Sequence, residues 1–466
     1  MSQPPFGLPF PGPGGQGDVP AGAPFFAELE KLLAWQGGPV NWDLASQWAV
    51  RSAGEDDPPA KSADRDAVRE AVRLAELWLD AATELPAGTT GAEAWTRVQW
   101  VETTLPVWRS LCDPVAERVV DAMGQGLTSG LSQLKDTPGL ADQLPAGMDL
   151  GQLAAAAGPF LGLMRQIGGL LFGAQVGQAL GQLAREVVSS TEVGLPLGPA
   201  GQAALLPANI AEFGQGLGLP TDEIRLYLAL REAAHQRLFA HVPWLRGHLL
   251  GAVEEYARGI SVDPEAVGRA VAAVDPTRMD PEGLQQALGE GVFEPARTPE
   301  QEAALARLET MLALVEGWVD EVVDAASAGH LPAAPALRET IRRRRATGGP
   351  AEQTFAALVG LELRPRRLRE AASLWRLLAQ ARGVSGRDAV WSHPDLLPGP
   401  ADLEDPERFV AQEAGTDATE AIEAWKRSQE PGARGGPGGG PGPGPGGGPE
   451  TGRGDRPGRP GGPSRD

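Results

Sequence analysis

The chain has 466 residues, with 62 Gly, 43 Pro, five His, one Cys and a formal net charge of −20 at pH 7. A single cysteine, Cys112, excludes an internal disulfide and a thiolate zinc site, so any metal would have to be held by histidine and carboxylates. The acidic balance opposes nonspecific attachment to DNA or to an anionic membrane surface, which predicts no nucleic-acid partner.

Residues 1–24 hold 6 Gly and 7 Pro, and residues 431–466 hold 16 Gly and 9 Pro. Both ends are expected to be disordered, because they lack apolar side chains whose burial would offset the entropy of ordering. The division predicted is a Pro/Gly-rich terminus over 1–24, a helical region over 25–149, a second helical domain over 150–430 and a Gly/Pro/Arg-rich tail over 431–466. The leading residues show neither a cationic n-region nor an apolar h-region, so the expected compartment is the cytoplasm.

Helical periodicity runs from residue 25 to about 427. Bounded by Pro and Gly, it predicts helices over 25–36, 42–53, 63–83, 91–111, 113–135, 157–188, 221–241, 244–258, 264–273, 300–327, 334–346, 351–360, 366–382 and 404–428. The best strand signal, 203–206, is short and sits between a Gly-Pro turn and Pro207. The fold class expected is mainly α, with at most a small β-sheet. The stretch 150–184 has a membrane-like character, with Gly173, Gly177 and Gly181 at four-residue spacing. Arg165, Gln166, Gln175, Gln178 and Gln182 interrupt it, so it reads as a buried helix whose glycines let a neighbour approach, and no membrane span is expected.

The histidines lie at 235, 241, 248, 330 and 393. In the helix over 221–241, Thr221 is the expected N-cap, with Asp222 and Glu223 in the first turn, where the helix dipole favours negative charge. At about 100° per residue, Arg231 and His235 fall among Ile224, Leu228 and Leu238, away from the face carrying Asp222, Arg225, Glu232 and Gln236. Polar heads set into an apolar surface require partners. The run Arg231-Glu-Ala-Ala-His235 has the frame of the helical zinc motif HExxH with Arg in place of its first His. In that motif two imidazoles one turn apart bind zinc, and the Glu polarises the metal-bound water.

The stretch from Glu212-Phe213 through Tyr227-Leu-Ala-Leu-Arg-Glu-Ala-Ala-His-Gln-Arg-Leu-Phe-Ala-His-Val-Pro-Trp244 resembles the central helix and following turn of the actinobacterial zincin-like metallopeptidase type 2 family. That family is also labelled a coenzyme F420 biosynthesis-associated hydrolase family. The segments Leu314-Val-Glu-Gly-Trp318, Ile341-Arg-Arg-Arg-Arg345, Leu361 to Glu370 and Ala389-Val-Trp391 are similar to its downstream blocks, so the resemblance covers roughly 150–410. It implies a zincin-like helical scaffold over 150–430, a zinc cofactor, a peptide or protein as substrate or partner, Glu232 as general base, and His235 and Glu316 as metal ligands. Two positions depart from the family. Arg231 replaces the first ligand with a permanently cationic guanidinium that has no lone pair, and Trp318 stands where the family segment has His. Catalytic zinc normally keeps three protein ligands and a water, so His241, Glu254 and Glu255 are alternatives for the missing one.

Other chemistry is weakly signalled. Arg342 to Arg345, with Arg364, Arg366, Arg367 and Arg369, form either a site for phosphate or an acidic partner or a solvated helix end. Cys112 has no histidine nearby in sequence, and neither a G-x-S-x-G elbow nor a phosphate loop is present. Three readings follow: a zinc-dependent peptide hydrolase, a zincin-fold pseudoenzyme that binds a peptide or protein, and a structural helical protein with Arg231, Glu232 and His235 in a buried ion network.

Overall fold

The computed structural model describes residues 38–135, 166–258 except 167 and 171, 299–346, 354 and 367–414. The helices expected over 25–36, 264–273 and, but for Thr354, 351–360, the two terminal segments, Arg364 and Arg366 lie outside the described residues. So does most of 404–428. The described residues up to Glu413 make one compact unit.

Among the described residues the fold is mainly α with one two-stranded sheet, as the periodicity predicts. In chain order it consists of α1 (Trp42–Gly54), α2 (Ser62–Leu79), β1 (Gly91–Ala94), α3 (Arg97–Lys135), α4 (172–184), β2 (Gln202–Leu205), α5 (Pro207–Phe213), α6 (Thr221–His241) and α7 (Leu245–Arg258). Then come α8 (Pro299–Ser327), α9 (Ala334–Ala346), α10 (Leu368–Ala389), two short 3₁₀ turns, α11 (Pro400–Glu404) and α12 (Pro406–Ala414). Among the described residues no helix is long and apolar enough to cross a membrane.

Two helices form the centre. In α8, twenty residues are buried and they occupy every side of the helix, the pattern of a helix enclosed by its neighbours. It packs against α6, α7 and α10. The approach of α10 depends on Gly317, where an added Cβ would lie 2.6 Å from the Cβ of Ala371. In α6 every residue from Tyr227 to Leu238 is buried, including Glu232 and Gln236, which helical phasing places on the polar face. That face is covered by β2 and the segment before it. The N-cap of α6 is Pro220 rather than Thr221, and Glu223 instead accepts from the Ala333 backbone N–H at 3.0 Å, tying the start of α6 to the start of α9.

The glycine stripe acts as its spacing predicts. A Cβ at Gly173 would lie 2.6 Å from the Asn41 carbonyl, one at Gly177 2.5 Å from the Ala45 carbonyl, and one at Gly181 2.5 Å from the Ser52 Cβ. Helix α4 therefore lies against α1 at a distance that only hydrogen side chains permit.

Two elements differ from the expectation. Residues 91–94 form a strand, parallel to β2 in the register Gly91↔Gln202 to Ala94↔Leu205, instead of the start of a helix. Gly-Ala-Glu-Ala contains good helix formers, and pairing with β2 overrides that local preference. Helix α3 continues through Pro106 and Pro114, where a break at residue 112 is expected. Each proline removes one ladder donor, but burial of Trp108, Leu111, Cys112, Val115 and Ala116 holds the chain helical across the gap.

Candidate functional site

The site lies where α6, α8 and α9 meet the segment 188–194. Residues Arg231 and His235 stand one turn apart on α6 and face Glu316 on α8, and all three are buried. Arg231 Nη2 donates to Glu316 Oε2 at 2.6 Å. His235 Nε2 lies 3.0 Å from Glu316 Oε1, and its Nδ1 lies 2.8 Å from the carbonyl oxygen of Arg231. Both ring nitrogens thus face oxygen atoms, and the Nε2 contact ties the imidazole directly to Glu316.

Helix α9 supplies the remaining charges. Arg345 Nη1 pairs with Glu316 Oε1 at 2.9 Å and its Nη2 donates to the Glu192 carbonyl. Arg342 donates to Asp320, which lies one turn beyond Glu316 and 3.9 Å from Arg231 Nη1. Arg344 pairs with Glu192 at 3.2 Å. All four guanidiniums of the arginine run therefore meet acidic groups within the fold; Arg343, the exposed member, lies 4.0 Å from Glu339.

The electrostatics follow from this geometry. Burial alone would raise the Glu316 carboxyl, but Arg345, His235 and Arg231 together outweigh it and hold the group well below the usual carboxylate range. Burial opposes the charge on Arg231, yet Glu316, Tyr227 and Asp320 raise its pKa overall. Burial pushes the neighbouring Tyr227 hydroxyl up to about 12. Glu316 and Asp320, one turn apart, are both enclosed because α8 is central.

Glu232 takes no part in this cluster. Its Oε1 accepts from Ser190 Oγ at 2.5 Å, Gln236 Nε2 at 3.0 Å and the Ala204 N–H at 3.4 Å. Its Oε2 accepts from the Thr191 hydroxyl at 2.5 Å and the Thr191 N–H at 3.2 Å. Trp318 is also directed elsewhere, its indole donating to Asp388 Oδ1 at 2.9 Å within a buried set that includes Thr83 and Arg387.

The alternative ligands lie apart. His241 is exposed, its Nε2 3.4 Å from the Ala87 carbonyl. Glu254 is exposed, and Glu255 pairs with Arg307 at 2.7 Å. Among the described residues no three His, Cys, Asp or Glu side chains are grouped to hold a metal ion. The donor set around His235 does not fit zinc. It offers one imidazole and one carboxylate, and both oxygens of that carboxylate already meet guanidiniums. Cys112 is buried, and burial pushes its thiol up, so it stands as a neutral core side chain.

Sequence reasoning places Glu316 and His235 together but misses Arg345, Ser190 and Thr191 as members of the site. The only available signals were the arginine run and the hydroxyl triplet Ser189-Ser190-Thr191.

Compared with known proteins, residues 40–410 match the family of zincin-like metallopeptidases. No curated protein sequence matches the chain. Among solved structures it is similar to the crystal structure of "a putative hydrolase with a novel fold" from Chloroflexus aurantiacus, with a TM-score of 0.56 and 21% identity over 81% of this chain and 99% of that one. At that identity the likeness is one of fold. With most of its length matched, this chain belongs to the zincin-like metallopeptidase family.

Proposed function

We propose that this member of the zincin-like metallopeptidase family is a metal-free pseudoenzyme, in which fixed guanidiniums supply the positive charge that zinc supplies elsewhere in the family, and that it acts by binding a peptide or protein. The observation that carries this reading is the 2.6 Å contact between Arg231 Nη2 and Glu316 Oε2, with both side chains buried. A guanidinium at that position offers no lone pair to a metal, and it occupies the carboxylate oxygen a metal would need. A neutralised carboxylate keeps the two central helices together without a cation from solution. The peptide or protein partner rests on the family's peptidase character.

The competing reading is a zinc-dependent hydrolase, with Glu232 as general base and His235 and Glu316 as ligands. It draws on family membership and on the hydrolase description attached to the Chloroflexus structure.

Protein purified without an affinity tag separates the two. The pseudoenzyme reading expects less than about 0.1 zinc per chain, no hydrolysis of a broad peptide mixture, and retention of some of those peptides uncleaved. About one zinc per chain, with cleavage lost in Glu232→Gln, would establish the hydrolase instead.

A further inference from the structure

We infer that Glu232, the residue at the general-base position of the motif, serves in this chain as a buried clamp that fixes residues 188–194 over the Arg231–His235–Glu316 cluster. The backbone sets up the arrangement. Segment 188–191 runs beside β2, with the Ser190 N–H donating to the Ala204 carbonyl at 3.1 Å and the Leu206 N–H to the Val188 carbonyl at 2.9 Å. This places the Ser190 and Thr191 hydroxyls against the face of α6 that carries Glu232.

Five donors then converge on its two oxygens, three on Oε1 and two on Oε2. A carboxylate has about four lone-pair sites, so none is left to take a proton from a substrate water. The side chain is fully buried, and the donors come from three separate pieces of chain: the 190–191 segment, β2 and α6 itself. A general base must be able to reach the proton it removes. Here the carboxylate instead faces the sheet.

What the clamp positions lies a few residues further on. Gly194 adopts φ +79°, and a Cβ there would stand 3.1 Å from Glu316 Oε1, so the segment passes with bare backbone against the carboxylate that Arg231 and Arg345 share. The other side of the segment is held by α9, through Arg344 on the Glu192 carboxylate and Arg345 on the Glu192 carbonyl. Glu232 and the two arginines therefore grip the same cover from opposite sides. The cover keeps water from the ion cluster, and in that low-dielectric setting its charge pairs are strong.

Hydrogen–deuterium exchange on the full chain tests this. In Glu232→Gln, amides of the peptide covering 188–198 should exchange about tenfold or more faster than in the wild type, while α10 keeps its protection. Thr191→Val, which removes one donor without altering α6, should accelerate the same peptide to a smaller degree, and it remains informative where Glu232→Gln does not fold. Unchanged exchange at 188–198 in a folded Glu232→Gln protein, or in Thr191→Val where the former is unfolded, would overturn the clamp. The zinc content of wild-type protein reads the metal-free proposal separately, so either idea can fail while the other stands.

Discussion

Arg231 on α6 and Glu316 on α8 form a 2.6 Å buried ion pair that joins the two central helices. The carboxylate is also shared by Arg345 and His235, so one anion gathers two guanidiniums and an imidazole from two elements. Removing a single member of such a set leaves an uncompensated buried charge, which is more damaging than never having built it.

Arg231→Met should therefore destabilise the protein by about 3 kcal/mol, read as a lower urea midpoint with an unchanged slope. Combining it with Glu316→Gln should cost less than the sum of the two single changes, with a coupling of at least about 1 kcal/mol. Additive effects would mean that the contact carries no energy.

The same carboxylate predicts an acid response. Glu316 stays ionised in the folded chain to lower pH than in the unfolded chain, where a glutamate titrates near 4.5. The stability it contributes is complete above that value and is withdrawn as pH falls through it toward the depressed native pKa. Urea unfolding at pH 7 and at pH 3 should show a smaller acid loss in Glu316→Gln than in the wild type.

Metal binding should be recoverable in steps. Arg231→His places an imidazole one turn before His235 and should give measurable zinc affinity by calorimetry, with none expected in the wild type. Adding Arg345→Gln should tighten binding further, because Arg345 competes for Glu316 Oε1. Trp318→His should bring no such gain, since that side chain points to Asp388. No affinity in the double variant would mean that the position no longer accepts a metal.

Close packing of α4 on α1 should be sensitive to one methyl group. Gly177→Ala adds a carbon 2.5 Å from the Ala45 carbonyl and should lower stability by about 1–3 kcal/mol, despite the better helix propensity of alanine. Gly247→Ala on α7 has open space around it and should be neutral or stabilising by up to about 1 kcal/mol. Melting temperatures of the two variants check the contrast.

Cys112 is fully buried with its thiol pushed up in pKa, so a thiol reagent should modify it only as fast as the protein opens. Labelling in native buffer at the rate seen in denaturant would contradict its place in the core.

The sequence by itself determined the helices that carry the site. Period-3.6 patterning bounded by Pro, with acidic first turns in α6 and α8, marks α6 over 221–241, α8 to within a residue and α9 over 334–346. It also determined the frame Arg231-Glu-Ala-Ala-His235 on one helix, and the close-approach role of the glycines at 173, 177 and 181. These are local properties, set by spacing and by the chemistry of single side chains. Only the tertiary structure decided the rest. Strand β1 exists because β2, more than 100 residues away in sequence, supplies its hydrogen bonds. The burial of Glu316 depends on α8 being surrounded, and the pairing of Arg345 with it depends on how α9 is laid across α8. Apart from Gln236 on the same helix, the contacts of Glu232 come from Ser190, Thr191 and Ala204, which are 28 to 42 positions distant. Helical phase shows which way a side chain leaves its own helix, and only the packing of other elements determines whether it meets water, a guanidinium or a hydroxyl.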